Sequence, residues 1–193
     1  MQKNNKLFVM LILALLSGNS QAERLLATKG FAGQPLVTVQ DGAIQSCGIR
    51  FVGINTPSKK NETIWIADAS FLIDKSDQAV VKASIIKSSI NRFNKAQIPL
   101  FETFKTFQVK AQKIKATRPV RGTAIEVDRD GSKRYVTDMA SVKGIYQAIM
   151  DKKPIQLNYI FADKQKNITI QGQVMMPDEE LAQVSSCLGK LGK

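Results

Sequence analysis

The chain has 193 residues, with 28 lysines and arginines against 16 aspartates and glutamates and no histidine, a formal charge of +12 at neutral pH. The missing histidine excludes a Ser-His-Asp or Cys-His catalytic machine and any zinc site built on imidazole. Two cysteines, Cys47 and Cys187, allow one intramolecular disulfide at most.

The opening MQKNNK carries Lys3 and Lys6 and no acid, and a run of ten apolar residues, Leu7 to Leu16, precedes the polar SGNSQA. These are the three regions of a secretory signal peptide, and a membrane span needs about twenty apolar residues. Ser20 and Ala22 satisfy the small-residue cleavage rule, which places the cut before Glu23; an uncleaved anchor or a buried helix is the alternative. Residues 1–22 are therefore expected to be a signal peptide and residues 23–193 a single β-rich domain with no transmembrane segment. Loss of Lys3 and Lys6 leaves 26 basic residues against 16 acids, or +10. Export to an oxidising compartment predicts a Cys47–Cys187 bridge, with buried free thiols or an intermolecular link as alternatives. It would close a loop of 140 residues, for which chain entropy sets an upper figure of about 5 kcal/mol.

ERLLATKGFAGQ reads as a lead-in ending in loop glycines. PLVTVQ and GIRFVGIN read as strands separated by the turn-prone DGAIQSC, which puts Cys47 at the mouth of the second. TPSKKNE reads as a loop. TIWIADASFLID then places Trp65, Ala67, Ala69, Phe71 and Ile73 on one face by strict alternation, a half-buried strand. After the turn signal DKSD, QAVVKASII places Ala79, Val81, Ala83 and Ile85 on one face and predicts a hairpin with the preceding strand. A helix is the rival reading there, and residues 87–99 fit either state. From Leu100 to Thr117, Phe107, Val109 and Ala111 alternate with polar residues before Ile114 and Ala116 take the other parity, a slip that a β-bulge would produce. The helical reading of Phe101, Phe104, Phe107, Ala111 and Ile114 competes with it. AIEVD and RYVTD read as a hairpin around Arg129, Asp130, Gly131 and Ser132.

Ser141 is a plausible N-cap for a helix with Val142, Ile145, Tyr146, Ile149 and Met150 at helical spacing. PIQLNYIFA and ITIQGQV read as strands joined by the turn DKQKN. Pro177, Asp178, Glu179 and Glu180 open a second helix, with acids favourable to its dipole. Leu181, Val184, Leu188 and Leu191 form its apolar stripe, with Cys187 facing inward beside it. About eight strands and two late helices predict a mainly β, α+β fold: an antiparallel β-sandwich or open barrel with two short helices in the C-terminal third.

No glycine pattern forms a phosphate cradle. With both cysteines oxidised, a thiolate nucleophile is not expected, and neither a metal nor another cofactor is. Asp128 and Asp130 faintly resemble a calcium loop, but the position for a closing glutamate is Thr137, and a hairpin turn explains both acids. Ser84, Ser88 and Ser89 lie near Lys82 and Lys87, a pairing that polar faces commonly carry. Two sequons, at Asn61 and Asn167, matter only in a host that glycosylates exported proteins.

One constellation stands out. Lys110, Lys113, Lys115, Arg118 and Arg121 fall in VKAQKIKATRPVRG with no acid among them. In an extended segment the phase slip would put Lys113 and Lys115 on the face begun by Phe107 and Val109. The cations then either guard an edge strand against pairing or form an anion-binding surface. The expectation is a periplasmic or secreted, non-enzymatic binding or accessory protein of the bacterial envelope, inhibitor-like, immunity-like or structural. Its partner would be a protein, an anionic envelope polymer or a lipid headgroup; nucleic acid is a weaker candidate, because export removes the chain from most of it. The alternative is an envelope hydrolase with paired carboxylates.

Overall fold

The computed structural model describes residues 23–26, 30–55, 63–89, 100–162 and 167–191. The signal-like segment 1–22, the loop 56–62 with the sequon at Asn61, residues 90–99 and the turn 163–166 lie outside the described residues.

The clearest alternation in the sequence builds the centre of the fold. β4 (Thr63–Asp74) buries Trp65, Ala67, Ala69, Phe71 and Ile73 on one face, as predicted, and β5 (Ala79–Ser89) buries Ala79, Val81, Ala83 and Ile85 beside them. They pair antiparallel from Thr63↔Ser89 to Ile73↔Ala79, which settles strand over helix through Ser89. Asp74 shapes the turn, its Oδ1 accepting from the backbone N–H groups of Ser76 and Gln78 and from the Ser76 hydroxyl. Burying one side chain of the size of Phe71 contributes about 2 kcal/mol.

On the other side of β4 lies β3 (Ala43–Asn55), and beyond it β2 (Phe31–Gln40). Only Asp41 and Gly42 turn the chain between them, both at positive φ, as a two-residue primed hairpin requires. Ala43 to Cys47, expected as part of a longer turn, therefore extend the ladder. Cys47 is not at a strand mouth: it is the fifth residue of β3, between Val37 and Ile73. The lead-in is also ordered differently. Glu23–Leu26 form β1, and Phe31–Gln34 begin β2.

The remaining strands are β6 (Leu100–Phe101), β7 (Thr106–Ala111), β8 (Glu126–Val127), β9 (Lys133–Thr137), β10 (Ile155–Ile160), β11 (Ile168–Gly172) and β12 (Val174–Met175). Beyond the expected strands the structure adds three short ones, β1, β6 and β12. The large sheet has the order β12-β2-β3-β4-β5-β9-β8, with β6 also on β5, and the smaller one β1-β11-β10-β7. The two sheets are not closed, and the architecture is a β-sandwich-like α+β fold. It is not wholly antiparallel: β1 pairs parallel with β11 and β12 parallel with β2, so the chain ends are tied by pairs that no local pattern announces.

Rings link the layers. Phe107 meets Tyr135 at 4.9 Å and Phe104 meets Tyr159 at 5.2 Å between centroids, and the Tyr159 hydroxyl donates to the Ser84 carbonyl across the sandwich. Helix α1 (Met139–Met150) begins three residues earlier than the Ser141 cap predicts, because Asp138 is the N-cap. Asp138 accepts from both the backbone N–H and the hydroxyl of Ser141, each at 2.8 Å. Its buried stripe includes Val142, Ile145, Tyr146 and Ile149, whereas Met150, expected on that stripe, is exposed. Helix α2 (Asp178–Lys190) buries Leu181, Val184 and Cys187 against β2 and β3. The Cys47–Cys187 disulfide is formed, with 5.8 Å between the Cα atoms, and ties this C-terminal helix to the second hairpin strand. The bridge is compatible with a non-cytoplasmic protein. Among the described residues no helix is long and apolar enough to cross a membrane.

Candidate functional site

β7 is an edge strand of the smaller sheet, with Phe107, Val109 and Ala111 inward and Lys110 outward, opposite Gln156. Its alternation does not slip through a bulge. The strand stops at Ala111, the Ile114 N–H donates back to the Ala111 carbonyl, and Lys113 turns the chain with φ 62°. The parity change marks a reversal, so Lys113 and Lys115 do not join the face of Phe107 and Val109, and the helical reading of this stretch falls with it.

Residues 112–123 then run as a strap from the edge of one sheet to the edge of the other. Thr117 holds the first end: its N–H donates to the Val109 carbonyl, and its hydroxyl accepts from the Val109 N–H at 2.9 Å. The same hydroxyl meets the Tyr135 hydroxyl at 2.9 Å, and Tyr135 donates to the Phe107 carbonyl. The proton order is thereby fixed, with Thr117 donating to Tyr135. Burial raises the Tyr135 pKa, although its hydrogen bond with Thr117 works the other way. The second end is held on β9, where the Arg118 N–H donates to the Thr137 hydroxyl and the Val120 N–H to the Val136 carbonyl. Thr117 is fully buried, while Lys113, Lys115, Arg118 and Arg121 are exposed around it, as is Lys110 just before the strap.

Among the described residues none of these five cations lies within ion-pair distance of a carboxylate. Lys115 acts at longer range on Asp138. Desolvation pushes the Asp138 pKa up, but the N–H and hydroxyl of Ser141 and the charge of Lys115 outweigh it and hold it below the ordinary value.

A second charged region crosses the outer face of the large sheet. Strand register places Gln34, Arg50, Ser70, Lys82, Arg134 and Glu126 side by side in one row. Here each cation has a partner. Arg50 binds Asp68 through three hydrogen bonds, Lys82 lies 2.8 Å from Asp128 and 3.4 Å from Asp130, and Arg134 lies 2.6 Å from Glu126. Arg50, Ser70 and Lys82 of this row line a depression of about 370 Å³ together with Asp68, Asp130 and Ser132.

Titration follows the pairing. The hydrogen bond from Lys82 is the main reason that the Asp128 pKa is lowered, and the hydroxyl and N–H of Ser132 lower that of Asp130. Desolvation works against the Lys82 ammonium, but its hydrogen bonds and charge interactions with the two aspartates prevail and raise its pKa. The acids that resemble a calcium loop thus close a hairpin turn and clasp an amine. Lys82, so held, is poorly suited to act as a base toward Ser84.

Sequence reasoning found the four strap cations and Lys110 just before them, and missed Lys143, an exposed residue of α1. The missed signal is packing: Ile114 of the strap lies against Gly144, where a Cβ would come within 2.7 Å of its Cγ2. The strap is therefore laid on α1 at Gly144. No protein-family model matches the chain, and no curated protein or solved structure matches it significantly.

Proposed function

We propose that this is an exported, non-enzymatic binding protein of the bacterial envelope that holds an anionic partner on the strap. One observation supports the reading: the strap is anchored to both sheets by hydrogen bonds of its backbone, yet none of its clustered, exposed cations has a carboxylate within ion-pair distance among the described residues. Elsewhere on the surface, Arg50, Lys82, Arg134, Lys152 and Lys153 each have a neighbouring carboxylate, while Lys75, Arg129, Lys143 and Lys190 have none within ion-pair distance among the described residues; what sets the strap apart is that its cations are clustered on an anchored backbone. An edge guard needs charge but no rigid backbone, whereas an anion site gains from both, because pre-organised donors lose less entropy on binding. The acidic surface of a protein, an envelope polymer and a lipid headgroup all offer the required charge.

Retention on dextran sulfate as a function of salt tests this. Replacing Lys113, Lys115, Arg118 and Arg121 with glutamine is expected to move elution to much lower salt. Replacing Lys75, Lys87, Lys153 and Lys190 removes the same charge elsewhere and is expected to have a small effect. Equal losses from the two sets would reduce the behaviour to net charge and overturn the reading.

A hydrolase working through two carboxylates is the second reading, supported by the meeting of Asp68 and Asp130 in one depression. The lowered Asp130 pKa counts against it, since a general acid at neutral pH needs a raised one.

A further inference from the structure

β2 is left without a neighbour along the part that leads to its hairpin. β12 pairs with it only at Phe31 and Ala32, and among the described residues no other strand lies on that side. The Phe31 N–H donates to the Gln173 carbonyl, away from β3. Alternation therefore directs the N–H and C=O groups of Val37 and Val39 outward as well, and leaves those of the even-numbered residues to β3. Pro35, which has no N–H to offer, closes the open stretch at one end, and the turn at Asp41 closes it at the other. No charge guards this edge, since β2 has neither acid nor base from Phe31 to Gln40. Val37 and Val39 are 37% and 59% exposed, and register puts them on the face of Cys47, where α2 is tied down.

The open stretch is its own complement. A two-fold axis through Thr38 sets two copies of β2 antiparallel, with Val37 opposite Val39 of the second copy and Val39 opposite its Val37. Each outward N–H then meets an outward C=O. Pro35 falls opposite Asp41 at the margin of the ladder, where an absent N–H breaks no central bond. The same register brings the exposed valines of both copies together on one face, a cross-strand contact that stabilises sheets. An unrelated strand would satisfy the backbone alone, whereas a second copy also covers the valines and runs out at proline on both sides. The geometry points to β2 as a dimer interface, in which a second copy of this chain adds its own β2 to the edge and joins the two large sheets into one. The strap lies on β9, toward the far edge of the same sheet, so it stays open in the dimer and the inference stands apart from the anion-binding reading. A single strand pair is smaller than a standard interface, so the dimer forms at high protein concentration.

Sedimentation velocity of the purified protein tests it. The protein is expected to shift from monomer to dimer as its concentration rises toward about 1 mM, a range that registers even weak association. Val37→Lys with Val39→Lys is expected to keep the urea midpoint of the wild type, since both side chains are exposed, and to stay monomeric throughout. Ile54→Lys with Val127→Lys adds the same charge at other exposed positions and is expected to dimerise as the wild type does. Thr38→Cys places a thiol on the axis, where facing residues of a non-hydrogen-bonded pair approach to about 4.5 Å between Cα atoms, within disulfide reach. It is expected to cross-link on mild oxidation, and Leu36→Cys to do so several-fold less. A wild type that stays monomeric, dimers that persist in the Val37 and Val39 variant, or equal cross-linking at the two cysteine positions would overturn the inference. Thr38→Cys joined to a different protein in an envelope extract, with no dimer of the purified chain, would give the edge to a foreign strand and overturn the second copy.

Discussion

The protein carries two charged regions that differ in how their charges are satisfied. On the outer face of the large sheet, Arg50, Lys82 and Arg134 are each clasped by carboxylates brought alongside by strand register. On the strap the backbone is satisfied and the charges are not: Thr117 and Val120 are fixed to β7 and β9 while Lys113, Lys115, Arg118 and Arg121 face solvent. The first arrangement spends its charge on itself and joins neighbouring strands. The second leaves its cations without a carboxylate at ion-pair distance among the described residues, and the difference shows that a count of lysines and arginines says little until the acids have been assigned to them.

The largest effect is expected where the strap is anchored. Thr117→Val preserves the shape of a fully buried side chain but removes the hydroxyl that receives the Val109 N–H and donates to Tyr135. A buried donor left unmade costs about 1–3 kcal/mol, readable as a lower midpoint in urea. Retention on dextran sulfate should fall as well, because the cations lose their fixed backbone. Tyr135→Phe removes only the far end of the chain of hydrogen bonds, and about 1 kcal/mol is expected. A Thr117→Val variant with unchanged retention would show that the strap needs charge alone.

Next comes the paired face. Lys82→Met leaves Asp130 without its cation and Asp128 with only Arg134, 3.5 Å away. The group is partly solvated, so screening holds the expected loss to about 1 kcal/mol. Retention on dextran sulfate should shift no more than a single exposed lysine elsewhere would shift it. If Lys82→Met weakened retention as much as the strap variants do, the division between satisfied and unsatisfied charge would fail.

Much of this contrast was within reach of the sequence, though unevenly. β4 and β5 alternate without interruption and are joined by Asp74 to Asp77, so their register could be counted, and with it Ser70 opposite Lys82. The run of strap cations was equally plain. Its path was not, because the reversal at Lys113 uses a left-handed residue that is neither glycine nor asparagine, and a turn without turn chemistry looks like a change of phase. Thr117 was hidden for a related reason: a threonine in a polar stretch resembles loop, and its partners Val109 and Tyr135 lie 8 and 18 residues away. The parallel pairs β1–β11 and β12–β2 join distant segments, and short strands of two to four residues are too brief to show a period.

Acid titration separates the regions at a smaller scale. Asp128 and Asp130 have folded pKa values below the unfolded value of about 3.9. A depressed carboxylate contributes stability above its unfolded pKa and loses it as pH falls through the folded one. The paired face should therefore weaken below about pH 4, and Asp128→Asn should flatten that part of a stability profile. Between pH 5 and 8 retention on dextran sulfate should be level, since lysine and arginine stay charged and the chain has no histidine.

The smallest effect is expected at the end of the row. Arg134 meets Glu126 at 2.6 Å, but their side chains are 50% and 59% exposed. An exposed pair gains little Coulomb energy and gives up side-chain freedom to form, so Arg134→Gln should cost no more than about 0.5 kcal/mol. Glu126 would then be a free acid on a two-residue edge strand, β8, which pairs only with β9. The strap passes the other part of β9 at Val136. A newly unpaired acid there would compete for Arg118 or Arg121 only if those side chains reach back toward the sheet. Unchanged dextran sulfate retention by Arg134→Gln is therefore the expected result, and a clear loss would mean that the strap cations are free only because Arg134 keeps Glu126 occupied.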